Sequence, residues 1–262
     1  MHEPVLIQLI ADYGVGDPAF AEVTQKLTLI DPNSRVVSTS IPAFSTLATG
    51  FWSAQFALVN PIPGMVVYSN TSPRKDNKDR RRNNEGELLV CAVLRNGIKV
   101  VGVNAGYCYS FLKHEIQKMF LVNVANSGSQ FRSRDYYPEA VIGLAKNNSQ
   151  YIGKEVKIEN IPDIPSNLIA HVDGYGNLKT TNVSASVKLQ PGQRLKITIN
   201  DVVQTVYYCN EAFAIREKQI AYAPGSSGKH DRFMEIFMRA GSAWEKFGRP
   251  QAEEKITIKI LK

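Results

Sequence analysis

Residues 168–181 read L-I-A-H-V-D-G-Y-G-N-L-K-T-T. An apolar run, Leu168, Ile169 and Ala170, leads through His171, Val172 and Asp173 into the turn Gly174-Tyr175-Gly176, and Asn177 then opens a second strand. Glycines on both sides of an aromatic residue let the backbone take positive φ and come close to a ligand. Asp173 and Asn177, four residues apart, stand at the two lips of the turn. The carboxylate accepts from sugar hydroxyls or an amine, and the amide donates and accepts together, as an adenine edge requires. The same letters also describe a plain β-hairpin whose Asp and Asn stabilise the turn. Both readings stand on this segment alone.

Downstream of this stretch the signals are all β. Residues 183–189 alternate, and 195–199, 202–209, 220–223, 233–238 and 255–261 follow as short strands at the spacing of a small barrel or sandwich. Gly225-Ser226-Ser227-Gly228 reads as a hairpin loop between two of them.

Upstream the pattern changes. Residues 5–10 form an apolar run of strand length that breaks into Ala11-Asp12-Tyr13-Gly14-Val15-Gly16-Asp17 and then a helix over 18–30. A buried parallel strand that ends in a Gly-rich, acidic turn before a helix is how open α/β folds build ligand crevices. The helix carries Phe20, Val23, Leu27 and Ile30 at helical spacing, but the G-x-G-x-x-G fingerprint of dinucleotide sites is absent. A strand at 35–40, a helix ending at 58, a strand at 65–68 and a hairpin across Arg95-Asn96-Gly97 come next. After a mixed segment over 107–124, a helix spans 136–146. The polar, proline-punctuated segment 153–166 marks a domain boundary, giving an α/β domain over 1–155 and a smaller all-β, barrel-like domain over 156–262.

Size and composition set the class. The chain has 262 residues, 44% of them hydrophobic and 21% charged, as in an ordinary globular protein. No apolar run approaches the roughly 18 residues that span a bilayer, and the first ten residues lack the basic region of a signal peptide. Cys91, Cys108 and Cys209 are too few and too scattered for a disulfide framework or a zinc site. A reducing cytoplasm with buried thiols is the expectation, and no metal site is expected. Of the net charge of +7, the segment 74–82 carries +4, from six basic and two acidic residues. The rest is nearly neutral, without the basic stripe and stacking aromatics of a nucleic-acid binder.

Six motifs in order resemble one family, the S-adenosylmethionine (SAM) hydroxide adenosyltransferases and SAM-dependent chlorinases and fluorinases. Asp12-Tyr13-Gly14-Val15-Gly16-Asp17 resembles its T-D-F-G-x-x-D, Asp31-Pro32 through Val37 its N-P-x-x-x-I-V, and Pro63-Gly64-Met65-Val66 its F-P-x-G-T-V. Arg134-Asp135-Tyr136-Tyr137 resembles G-R-D-x-F, and residues 171–180 match H-I-D-x-F-G-N-x-x-T most closely. Ser226-Ser227-Gly228, Glu235-Ile236 and Gly241-Ser242-Ala243 resemble the C-terminal S-S-G-x-L-E-I-A-x-x-x-G-S-A. The resemblance implies an α/β/α sandwich, a β-barrel-like second domain and a homotrimer that holds SAM at subunit interfaces. By position Asp12 holds the ribose hydroxyls, Asp173 the methionine end and Asn177 the adenine. Tyr175 packs on the adenosine, with backbone from Ser226, Ser227 and Ala240 nearby. SAM is substrate, and no cofactor is implied.

The departures fall on the water-handling residues. The family's aspartate reads Ser72, its histidine reads Arg132, and its P-D-N-G reads Val103-Asn104-Ala105-Gly106. Ser133 stands where the fluorinating branch has serine. Ser72, Arg132 and Ser133 are therefore the candidate catalytic positions, and a hydroxyl at Ser133 with Ser72 or Thr71 suits a halide or another anion. Two functions remain open: cleavage of SAM by hydroxide or halide, and a diverged paralogue that binds a nucleoside without the acid–base residues.

Overall fold

The computed structural model describes residues 4–72, 87–125, 127–211, 214–229 and 231–261. The chain forms a two-domain α/β protein, in which unit 1 covers Met1–Asp163 and unit 2 Ile164–Lys262. The basic segment 74–82 lies outside the described residues. No helix among the described residues is long and apolar enough to cross a membrane.

Unit 1 is built on β1 (Leu6–Ala11), α1 (Pro18–Ile30), β2 (Arg35–Ser40), α2 (Thr46–Leu58), β3 (Val66–Asn70), β4 (Leu89–Leu94), β5 (Lys99–Val103), β6 (Ile116–Val122), α3 (Arg132–Asp135), α4 (Tyr137–Ala145) and β7 (Ile152–Glu155). Its sheet runs β2-β1-β3-β5-β4-β6-β7, parallel through its first four strands and antiparallel beyond. The parallel strands read as apolar runs because they are buried: Ile7, Leu9, Val67 and Val100 are inaccessible to solvent. Asp17 caps α1 by accepting from the Ala19 amide at 2.8 Å, and Ser45 caps α2 through the Ala48 amide at 3.1 Å. From β1 the chain crosses to β2 on one side and later to β3 on the other. Ala11 pairs with Ser40 and with Asn70, and Ser69 with Gly102, so these strands end level with one another. Diverging connections above level strand ends leave a crevice there.

Unit 2 comprises β8 (Ile169–Val172), β9 (Leu178–Val183), β10 (Arg194–Ile199), β11 (Val202–Tyr208), β12 (Ile220–Pro224), β13 (Phe233–Met238), α5 (Ala243–Lys246) and β14 (Ile256–Ile260). The order is β14-β10-β11-β12-β13-β9-β8, with β11 and β12 parallel and the rest antiparallel. Its two edges meet through a bridge between Leu168 and Lys255, where the Ile169 amide donates to Glu254 O and the Ile256 amide to Asn167 O. The sheet therefore curls around a core that includes Ile169, Leu178, Leu195, Ile197, Tyr222, Ile236 and Phe247.

Two details differ from the sequence reading. The alternation over 183–189 is not a strand: β9 stops at Val183 and a 3-10 turn follows over Ser184–Ser186. There the Ser186 hydroxyl donates to Val183 O at 2.7 Å, a local bond of the kind that competes with a strand ladder. β7 lies in the segment read as polar linker, because it is a largely exposed edge strand with little apolar signal.

Candidate functional site

A cavity of about 350 Å³ occupies the crevice in unit 1, walled by residues that follow β1, β3 and β5 and by the start of α3 and α4. Four sequence candidates line it together: Asp12, Ser72, Arg132 and Ser133. Asp12 Oδ2 accepts from the Phe44 amide and the Ser72 amide, each at 3.0 Å. It thereby ties the β2–α2 loop, where Phe44 is held at φ 65°, to the end of β3. Asp12 Oδ1 has no hydrogen bond among the described residues and stays available to a ligand donor. Among the described lining residues, Asp12, Asp17 and Glu87 are the acids and Arg132 is the base.

Hydroxyl groups make up much of the remaining polar surface. Asn70 Nδ2 donates to the Tyr13 hydroxyl at 3.2 Å, and that hydroxyl lies 2.7 Å from Ser133 Oγ. Tyr68 donates to Ser133 O at 2.7 Å. On the other wall, Thr71 Oγ1 meets Thr49 Oγ1 at 2.5 Å, and Thr49 donates to Ser45 O at 2.8 Å. The Tyr137 hydroxyl is shut off from solvent without a hydrogen-bond partner among the described residues. Burial pushes the Tyr13 phenol far up, against the opposing effect of its hydrogen bond with Ser133, so its proton stays on. Burial likewise raises Tyr137, while the Arg132 charge lowers it.

The remaining candidates lie in unit 2. Asp173 Oδ1 accepts from the amides of Tyr175 and Asn177, each at 3.0 Å, and Oδ2 accepts from Asn177 Nδ2 at 3.1 Å. Lys179 Nζ adds an ion pair at 3.5 Å to Asp173 and another at 3.1 Å to Glu235. Lys179 and Glu235 are cross-strand partners on β9 and β13, both buried. A carboxylate offers about four lone-pair sites, and these contacts use those of Asp173 within its own turn. Of the two glycines beside Tyr175, only Gly176 takes positive φ, at 78°. A Cβ there would lie 2.1 Å from Ser242 Oγ, so the Gly241-Ser242-Ala243 segment packs directly on the turn. Tyr175 is 83% exposed. Ser226 is exposed, whereas Ser227 is buried and its carbonyl accepts from the Phe233 amide at 2.9 Å. Ala240 is exposed and held at φ 55°. Burial, then the charge of Lys179, lowers His171 to about 4, against the pull of Asp173.

Reading from sequence missed Tyr13, Asn70 and Thr49, which fix the hydroxyls, and the ion pair between Lys179 and Glu235. A signal for the pair was present: each is a lone charge inside an otherwise uncharged strand, L-K-T-T-N-V and F-M-E-I-F-M, where burial requires a partner.

No family model matches the chain, and no curated protein matches it. Two solved structures share its fold. An uncharacterized conserved protein from Thermotoga maritima aligns over 97% of this chain and 100% of its own, with a TM-score of 0.74 and 14% identity. A conserved hypothetical protein from Thermus thermophilus aligns over 99% and 100%, with a TM-score of 0.69 and 20% identity. At these identities the likeness is one of fold.

Proposed function

We propose that this chain is a divergent member of the SAM hydroxide adenosyltransferase and SAM-dependent halogenase family. That reading carries an α/β/α first domain, a barrel-like second domain, a homotrimer, and SAM as substrate without a further cofactor. In the reaction a nucleophile forms a bond to C5′ of the adenosyl group as the C5′–S bond breaks. The bonding pair goes to sulfur, and methionine leaves as a neutral thioether. With water the products are adenosine, methionine and a proton; with a halide they are a 5′-halo-5′-deoxyadenosine and methionine. The sulfonium is already a good leaving group, so the site's task is to desolvate the nucleophile and hold it in line.

The supporting observation is the cavity of unit 1, where, among the described residues, three carboxylates face one guanidinium and Asp12 keeps one oxygen open. Such walls suit a sulfonium cation, and Asp12 Oδ1 suits a ribose hydroxyl. A second reading, a nucleoside-binding paralogue, is favoured by one observation: the Asp173 carboxylate is saturated within its turn and by Lys179, which leaves little for an amino-acid ammonium. Calorimetric titration with SAM and with adenosine tests both. Asp12→Ala and Asn177→Ala are expected to weaken SAM binding at least tenfold, about 1.4 kcal/mol. Either variant binding SAM as tightly as the parent contradicts the assigned pocket, and adenosine binding without SAM binding selects the paralogue.

A further inference from the structure

Unit 2 has no basic run in its sequence, yet the pairing of its strands assembles a basic face. Successive side chains of a strand point to opposite faces, and residues directly opposite on an antiparallel neighbour share a face. Lys196 on β10 stands opposite Lys259 on β14 and Thr205 on β11, and Arg194 stands opposite Tyr207. Leu195, Ile197 and Val206, which alternate with them, belong to the core, so this set turns outward. Arg194, Lys196, Thr205 and Lys259 are all exposed. None of the three strands contains Asp or Glu, and among the described residues no acid pairs with Arg194, Lys196 or Lys259. Asp201 and Glu254 lie past the other end of these strands, where Glu254 accepts from Asn200 Nδ2 at 2.7 Å. The connection after β11 is balanced, with Glu211 and Glu217 against Arg216 and Lys218. Like charges directly opposite each other weaken a sheet, and this face keeps Lys196 and Lys259 together without an acid. Tyr207, beside Arg194, packs on the cluster of Cys209, Ile215, Ala221 and Ala223, which holds its ring in place.

We propose that this face binds single-stranded nucleic acid, with backbone phosphates on Arg194, Lys196 and Lys259 and a base on Tyr207. A phosphate chain supplies the anions that the opposed lysines lack, and the Thr205 hydroxyl can donate to a phosphate oxygen. The aromatic ring selects a single strand over a duplex, because only an unpaired base offers its face for stacking. A membrane surface fits less well: interfacial binding scales with buried apolar area, and on this face the exposed large apolar side chain is Val203. The proposal does not rest on the SAM reading.

The test follows the anisotropy of a fluorescein-labelled oligothymidylate of about 16 nucleotides, titrated with the whole chain between about 50 and 200 mM potassium chloride. The parent is expected to bind. Replacing Arg194, Lys196 and Lys259 together by Gln is expected to weaken binding at least tenfold at the lowest salt. It should also flatten the plot of log affinity against log salt by about 2, three charges at about 0.7 each. Replacing Lys118, Lys154 and Lys157 by Gln removes the same charge from exposed positions of unit 1 and is expected to leave binding as in the parent. Tyr207→Leu is expected to cost about fivefold or more with the salt slope unchanged. Should the triple variant fail to fold by circular dichroism, Lys259→Gln alone carries the test, with a slope change of about 0.7. No binding by the parent, a slope that the triple variant leaves intact, or an equal loss in the unit-1 variant overturns the proposal. A duplex bound as tightly as the single strand, with Tyr207→Leu without effect, overturns the choice of single strand. Binding to phosphatidylserine vesicles that the triple variant loses, without binding of the oligonucleotide, overturns the proposal in favour of a membrane surface.

Discussion

The unit-1 cavity and the unit-2 turn are both rich in polar groups, and they use them in opposite ways. Around the cavity, Asp12 and Ser133 each spend part of their hydrogen-bonding capacity on the frame and hold part of it open. In the turn, Asp173, Lys179 and Glu235 spend theirs on one another and on the amides of Tyr175 and Asn177. Polar residues turned outward from a rigid frame mark recognition, whereas polar residues that close on themselves mark architecture. The comparison places open hydrogen-bonding capacity around the unit-1 cavity and makes Asp173 part of the frame that presents Tyr175 and Asn177.

That contrast is broken or sharpened first by Lys179→Met. The variant leaves two carboxylates together without their cation inside the sheet, and a loss of about 3–5 kcal/mol is expected. The chain's two tryptophans, Trp52 and Trp244, report on units 1 and 2 respectively. Urea denaturation in a Trp52→Phe background therefore follows unit 2 through Trp244. A loss below about 1 kcal/mol would mean that the network is not what holds the turn. Gly176→Ala is expected to cost about 1–3 kcal/mol by the same measurement, because the added Cβ meets Ser242 and φ is positive. Gly174 has open space at its Cβ and no positive φ, so Gly174→Ala should lie within about 0.5 kcal/mol of the parent.

A smaller effect comes from His171. Its folded-state value of about 4 lies below the ordinary 6.5, so between these pH values the unfolded chain binds the proton and the folded chain does not. The histidine's contribution to stability is therefore intact above about pH 6.5 and is lost progressively as pH falls toward 4. The difference in unfolding midpoint between parent and His171→Gln should change across that window and stay flat above it. A difference that does not vary with pH would show that His171 titrates alike in both states.

Much of this was legible in the sequence because it rests on local rules. The strand-to-acidic-turn pattern at residues 5–17 announced the crevice, and the six residues of β13 matched the apolar run at 233–238. The β8–β9 hairpin was legible as such, including its bland interpretation, an Asp and an Asn that hold their own turn. What escaped depends on groups distant in sequence. Tyr13 and Ser133 are 120 positions apart, Thr49 and Thr71 are 22 apart, and Lys179 and Glu235 are 56 apart. No window of residues shows which hydroxyl gives its proton to which. The Ser184–Ser186 turn escaped for another reason, since serine hydroxyls supplied backbone partners that the alternation of side chains does not reveal.

One measurement addresses the central claim directly: the purified 262-residue chain is incubated with SAM, and the mixture is resolved for nucleosides and methionine. Adenosine and methionine in equal amounts, lost together in Asp12→Ala, are the expected result. Intact SAM after long incubation, together with no heat of binding, would contradict it and show a cavity shaped for some other ligand.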